Sequence, residues 1–307
     1  MSRDVVRFDV DFLSEGTRCA AWLYMQPGPP RDTTVPVIVM AHGLGGVRAA
    51  RLDAFAERFA AQGYASLVFD YRNFGDSDGA PRRLVDIGDQ LADWSNAVSY
   101  ARTLPGVDPE RVVLWGTSLA GGHVINVAAR DHRIAAVILQ CPFTDGIASS
   151  IRTRPMAGWR LLRWALRDQL AAWSGDLPIR VPVAAAPHDT GLLTASDSAS
   201  GYRQIFDAAG IADPELDVPA RIALRIPAYR PGLHLGGIRC PVLACIARHD
   251  TATPAKATLR HLRRAPHAQV RVYDIGHFDF YTGQGFEHGV ADQIDFLQAH
   301  LAGPHRS

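Results

Sequence analysis

A chain of 307 residues, 47% hydrophobic and 21% charged, has the balance of a globular protein and is long enough to bury a core without metals or disulfides. Lys plus Arg number 32 against 31 Asp plus Glu, so a net charge of +1 offers no long-range pull toward nucleic acid or anionic membrane, and neither is expected as a partner. The four cysteines (Cys19, Cys141, Cys240, Cys245) form no CxxC pair and no zinc-finger spacing. No apolar run approaches the ~18 residues that span a bilayer, and Met1–Arg7 lacks a secretory apolar stretch, so a reduced cytoplasm is the expected compartment.

Val6, Phe8, Val10 and Phe12 alternate with Arg7, Asp9 and Asp11, which reads as a half-buried strand, and residues 17–25 give a second. The pattern then changes to continuous apolar runs at Val35–Ala41, Ala65–Phe69, Val112–Trp115, Ala135–Leu139 and Val242–Ala247, as suits strands covered on both faces. Helical stripes separate them: Leu52, Phe55, Ala56 and Phe59; then Ile87, Leu91, Trp94 and Val98. Thr253-Pro254 reads as the N-cap and first residue of a helix running to about Arg264. Val290, Ile294, Leu297 and Leu301 line a last helix, ended by Gly303-Pro304. Such alternation implies βαβ units, a mostly parallel sheet and helices on both faces.

Residues 144–236 break the rhythm. They are too long for an ordinary connection, starting Arg-rich (Arg152, Arg154, Arg160, Arg163, Arg167) and continuing through seven prolines from Pro178 to Pro231. They read as a cap inserted between the strand ending near Phe143 and the strand starting near Pro241, over the carboxyl ends of the strands, with residues 1–143 and 237–307 forming the core. Within the cap, Trp159, Trp164, Trp173, Tyr202, Phe206 and Tyr229 are candidates for an apolar pocket or for the cap's own core; its arginines read as a solvated helix face.

The strand ending at Trp115 runs into Gly116-Thr117-Ser118-Leu119-Ala120 and then a helical pattern. In a tight strand-to-helix turn, side chains two residues either side of the nucleophile would collide, and Gly116 and Ala120 satisfy that need. Ser118 is the candidate nucleophile; a plain helix N-cap is the competing reading. A serine hydroxyl needs a general base, and the base needs a partner that fixes its tautomer. Asp250 follows the strand Val242–Ala247, and His277 follows Val270–Asp274, 27 residues later. Both therefore project at the same sheet edge as Ser118. His249 competes as base and Asp145 as acid. Upstream, Val37–Ala41 runs into His42-Gly43-Leu44-Gly45-Gly46, a loop suited to presenting a backbone N–H to an oxyanion; Leu44 and Leu119 are the expected donors. The loop lacks the Lys of a phosphate-binding loop, and His42 reads as a brace.

At these residues, together with Phe69-Asp70-Tyr71-Arg72-Asn73-Phe74-Gly75-Asp76-Ser77, the chain resembles the α/β-hydrolase superfamily over about residues 5–143 and 237–303. It is similar to the dienelactone-hydrolase and acetyl-esterase-like branch. The resemblance implies the α/β-hydrolase fold, an acyl-enzyme mechanism, no cofactor and structural roles for Asp70 and Arg72. The expected activity is cleavage of a carboxylic ester or thioester, with a small ester-type molecule as partner. An acyltransferase or C–C bond hydrolase would use the same triad, and a non-catalytic binding protein is a third alternative. Oligomeric state stays open, a homodimer among the options.

Overall fold

The computed structural model describes residues 4–27, 34–151, 155–265 and 267–301. Among these residues, ten strands and eight α-helices follow in the order β1 (Val6–Ser14), β2 (Thr17–Met25), β3 (Val35–Ala41), α1 (Leu52–Ala61), β4 (Ala65–Phe69), α2 (Ile87–Ala101), β5 (Val107–Thr117), α3 (Leu119–Ala128), β6 (Ile134–Gln140), α4 (Gly146–Ser150), α5 (Pro155–Ser174), β7 (Arg180–Pro182), α6 (Ser198–Ala208), β8 (Asp217–Pro219), β9 (Val242–Ala247), α7 (Ala255–Leu262), β10 (Ala268–Tyr273) and α8 (Gly283–Leu301).

Eight strands form one sheet in the order β1-β2-β4-β3-β5-β6-β9-β10. β2 is antiparallel to both its neighbours, and every pairing from β4 to β10 is parallel. This is the α/β-hydrolase fold expected from the sequence. The apolar runs explain it: β3, β4 and β9 are buried at nearly every position because helices cover both faces. β10 is an exposed edge, with Val270 and Val272 partly open to solvent. Cys19, Cys141 and Cys245 are buried in or beside strands as free thiols. No helix among the described residues is long and apolar enough to cross a membrane.

Register aligns the carboxyl ends of the central strands. Ala41 pairs with Gly116, Thr117 with Gln140, Gln140 with Cys245 and Ala247 with Tyr273. The loops after β3, β5, β6, β9 and β10 therefore emerge along one rim.

Among the described residues, the segment between β6 and β9 holds three α-helices and two short strands together with three 3₁₀ turns. Asp168 of α5 organises this segment. Its fully buried carboxylate accepts the Ile179 N–H (2.7 Å), the Arg221 N–H (2.9 Å) and Arg221 Nε (2.8 Å). Asp145 caps α4 and meets His261 Nε2 of α7 at 3.0 Å, tying the start of the segment to the core.

The helix after Asp250 differs in detail from the expectation. It starts at Ala255, with Pro254 as its backbone N-cap. The Thr253 hydroxyl does not cap it, because that hydroxyl is directed to Asp250 and Cys141 O instead. Arg152, Arg154, Gly303 and Pro304 lie outside the described residues.

Candidate functional site

Ser118 ends the turn between β5 and α3 with φ 54° and ψ −123°, a conformation costly for a residue with a side chain. It occupies the N-cap position of α3, yet its hydroxyl makes no capping hydrogen bond, so the capping role weighed from sequence is not the one it plays. The turn closes around missing side chains. A β-carbon on Gly116 would lie 2.6 Å from Ala120 O, and one on Gly121 2.8 Å from Pro142 Cα. The Ser118 N–H donates to Gln140 O (3.0 Å) and its carbonyl accepts the N–H of Phe143 (2.8 Å), which locks the turn to the end of β6.

His277 follows β10 and is buried with Asp250. Its Nδ1 lies 2.7 Å from Asp250 Oδ2. Asp250 is held from both sides. Oδ1 accepts the N–H groups of Ala252 (2.9 Å) and Thr253 (2.5 Å), and Oδ2 also accepts the Thr253 hydroxyl (2.8 Å). Burial alone would raise the Asp250 carboxyl. The charge and hydrogen bond of His277 and the two Thr253 donors more than reverse this and hold it below its ordinary value. A carboxylate so fixed sets the imidazole with Nδ1–H toward the acid, leaving Nε2 as the free base.

The competing candidates sit elsewhere. His249 is exposed and meets Asp274 at 3.0 Å. Asp145 is engaged with His261, Arg230 and the α4 N-terminus.

Ser118, His277, Gly43 and Leu44 line one small cavity of about 30 Å³. A larger cavity, about 400 Å³, opens on Ser118, Leu44 and Leu119 and is walled by the segment between β6 and β9. The N–H groups of Leu44 and Leu119 have no hydrogen-bond acceptor among the described residues. The loop carrying Leu44 is braced at several points. Tyr202 of α6 donates to Leu44 O at 2.6 Å, and His42 Nδ1 contacts Gly43 O at 2.9 Å. Buried Arg48 binds Asp70 and Asp76 and stacks 4.4 Å from the Trp22 ring. Arg72 is tied to Asp93, Glu15 and Ser14. His42 is buried against Tyr71 and Phe74, and burial pushes its basicity down.

Of the aromatic residues weighed for the pocket, Trp159, Trp164 and Trp173 stand exposed on the outer side of α5, among Arg160, Arg163 and Arg167, and line neither cavity. Tyr202 and Phe206 line the small cavity, and Tyr229 is bonded to His123 and Asn126. The large cavity is walled by aliphatic residues such as Leu161, Leu192 and Ile226.

Sequence reading missed two contributors, Thr253 and Cys141, and for Tyr202 named the pocket but not the bond to Leu44. Thr253 could have been found, since Asp-x-x-Thr after a strand suits a side chain that takes the N–H groups two and three residues on. Cys141 adopts φ 43°, and its Sγ lies with the Asp250 carboxylate and a His277 ring nitrogen within 4.8 Å of one another. Tyr202 reaches Leu44 across 158 residues, which no local pattern announces.

A family model described as α/β hydrolase fold matches residues 36–284. The chain is 49% identical over 290 residues to the quorum-quenching protein AidA of Acinetobacter baumannii (strain MDR-ZJ06), covering 94% of each. It is 28% identical to the thiohydrolase aneE of Aspergillus aculeatus, covering 96% of this chain and 94% of that one. The crystal structure of α/β hydrolase GrgF from Penicillium sp. sh18 superposes with a TM-score of 0.82 at 24% identity, over 97% of this chain and all of that one. With the fold, the strained serine turn and the strand-end Asp–His pair, these matches establish that the chain belongs to the α/β-hydrolase family.

Proposed function

We propose that this enzyme cleaves a carboxylic ester or thioester through an acyl-enzyme on Ser118. His277 removes the hydroxyl proton as Ser118 attacks the carbonyl, and Asp250 orients and stabilises the imidazolium. The N–H groups of Leu44 and Leu119 receive the oxyanion, a contribution worth about 10²–10³ in turnover per donor. His277 then protonates the leaving group and activates water against the acyl-enzyme. The segment at 144–236 acts as a cap that shapes the acyl pocket. The observation that carries this reading is the 2.7 Å His277–Asp250 contact at the strand ends, beside a serine in nucleophile-elbow geometry. A relative named a thiohydrolase accords with the thioester form of the substrate.

The test compares wild type and Ser118→Ala on p-nitrophenyl esters and acyl thioesters of increasing chain length, with a fluorophosphonate label on the intact protein. Wild type is expected to turn over and to label at Ser118. The variant, folded by circular dichroism, should lose about 10⁴ or more in kcat. Full activity in the variant excludes the scheme. Product analysis with added alcohol or thiol reads transfer against hydrolysis.

A further inference from the structure

The large cavity beside Ser118 has in its wall a hydroxyl that the protein itself leaves unused. Ser198, the first residue of α6, lines the cavity and is fully buried, and its Oγ has no hydrogen-bond partner. Of the other hydroxyls on the wall, those of Ser149, Ser150 and Thr194 belong to half-buried residues and that of Ser196 to an exposed one, within reach of water, and the threonines nearest the triad are committed. Thr251 donates to the Asp197 carboxylate at 2.7 Å, and Thr253 serves Asp250. A buried hydroxyl without a partner costs free energy, and natural proteins retain few of them. A serine hydroxyl reorients by rotation about the single Cα–Cβ bond.

The cavity's electrostatics supply a second observation. Among the described residues, none that lines it carries a formal charge, although the arginine-bearing helix α5 contributes Leu161 to the wall. An ion entering such a space would lose its hydration and find no counter-charge among these residues. The volume, about 400 Å³, matches a small organic molecule.

We propose that Ser198 is a specificity-determining residue that hydrogen-bonds a neutral polar group, a ketone, hydroxyl or amide, carried on the substrate's acyl chain. The substrate class is thus an uncharged acyl ester or thioester with a second polar group. This rests on the acyl-enzyme reading of Ser118. Ser198 touches no reacting atom, so its effect falls on KM and not on kcat. A site built to satisfy a polar group discriminates against the analogue lacking it, because its own polar atom is then left unpaired.

The experiment measures kcat and KM for wild type and Ser198→Ala on four probes: p-nitrophenyl hexanoate, its 4-oxo and 5-oxo analogues, and the p-nitrophenyl monoester of adipic acid. Wild type should favour one oxo analogue over hexanoate by about fivefold in KM, and disfavour the carboxylate probe by at least about tenfold. Ser198→Ala should remove the oxo preference while leaving kcat and the hexanoate KM unchanged. Its Tm should equal or exceed that of wild type, because an unsatisfied oxygen has been deleted. Equal KM changes for all esters, no change for any, or ready cleavage of the carboxylate probe each overturn the proposal. With hexanoate still cleaved by wild type, those results leave the Ser118 reading standing. Failure of wild type to cleave any of the probes, with no fluorophosphonate labelling, overturns both.

Discussion

A β-carbon on Gly43 would stand 2.9 Å from Cβ of Ser118 and 3.5 Å from its Oγ. The loop after β3 and the turn at Ser118 after β5 are therefore in contact through the absence of a side chain, a consequence of the Ala41–Gly116 register. Gly43→Ala must push Ser118 and the Leu44 N–H apart. Misplacement by about 1 Å costs about 10²-fold. We expect kcat/KM to fall by about that factor, with the fold kept by circular dichroism. Unchanged kinetics would show that the N–H of Leu44 does not act at the reacting carbonyl.

Strain at Ser118 makes a stability prediction independent of any substrate. With φ at 54°, the residue pays for carrying a β-carbon, and glycine does not. Ser118→Gly and Ser118→Ala should both be inactive. The glycine variant should be the more stable of the two by about 1 kcal/mol in urea unfolding, after its greater unfolded-state freedom is deducted. Equal stabilities would mean that the turn is relaxed.

The Asp145 pair with His261 predicts a pH dependence. Burial would raise the Asp145 carboxyl, but hydrogen bonds from His261, the Ala148 N–H and Arg230 more than reverse this and bring it down to about 2. A folded-state value below the unfolded value of about 3.9 means stability that is present above pH ~4 and lost as pH falls toward 2. Asp145→Asn retains an oxygen for the α4 cap but not the charge. The stability difference between wild type and variant should be largest above pH ~4 and shrink by pH 2, read by urea unfolding across that range. A difference constant with pH would show that the charge of Asp145 is not what stabilises the contact.

The sheet was legible in the sequence because parallel strands covered on both faces must be apolar throughout. Val35–Ala41, Ala65–Phe69 and Val242–Ala247 have the same bounds in the structure. Ser118, Asp250 and His277 were legible for a related reason: each follows a strand, and strand ends lie on one rim. The segment from 144 to 236 was not, because its order comes from contacts such as Asp168 with Arg221, 53 residues apart, and its apolar side chains do not all point inward. Trp159 and Trp173 look like pocket residues by type, yet are 65% and 76% exposed, since the inward stripe of α5 is made of small residues and Asp168.

That buried aspartate yields the last prediction. Asp168 is fully buried, and its two oxygens satisfy two backbone N–H groups and the Arg221 guanidinium. Replacing it with alanine leaves the half-buried N–H groups of Ile179 and Arg221 and the Arg221 guanidinium without their acceptor. Breaking a buried pair from one side costs about 3–5 kcal/mol. The loss should fall first on α5 and the turn at Ala220–Leu224, because Asp168 binds nothing in the sheet. Hydrogen exchange should therefore show those segments deprotected in Asp168→Ala while β3, β5 and β9 keep their protection. Activity toward long acyl esters, which need the cavity wall, should fall further than activity toward acetate esters. Uniform deprotection of the whole chain would instead mean that the segment and the core unfold as one cooperative unit.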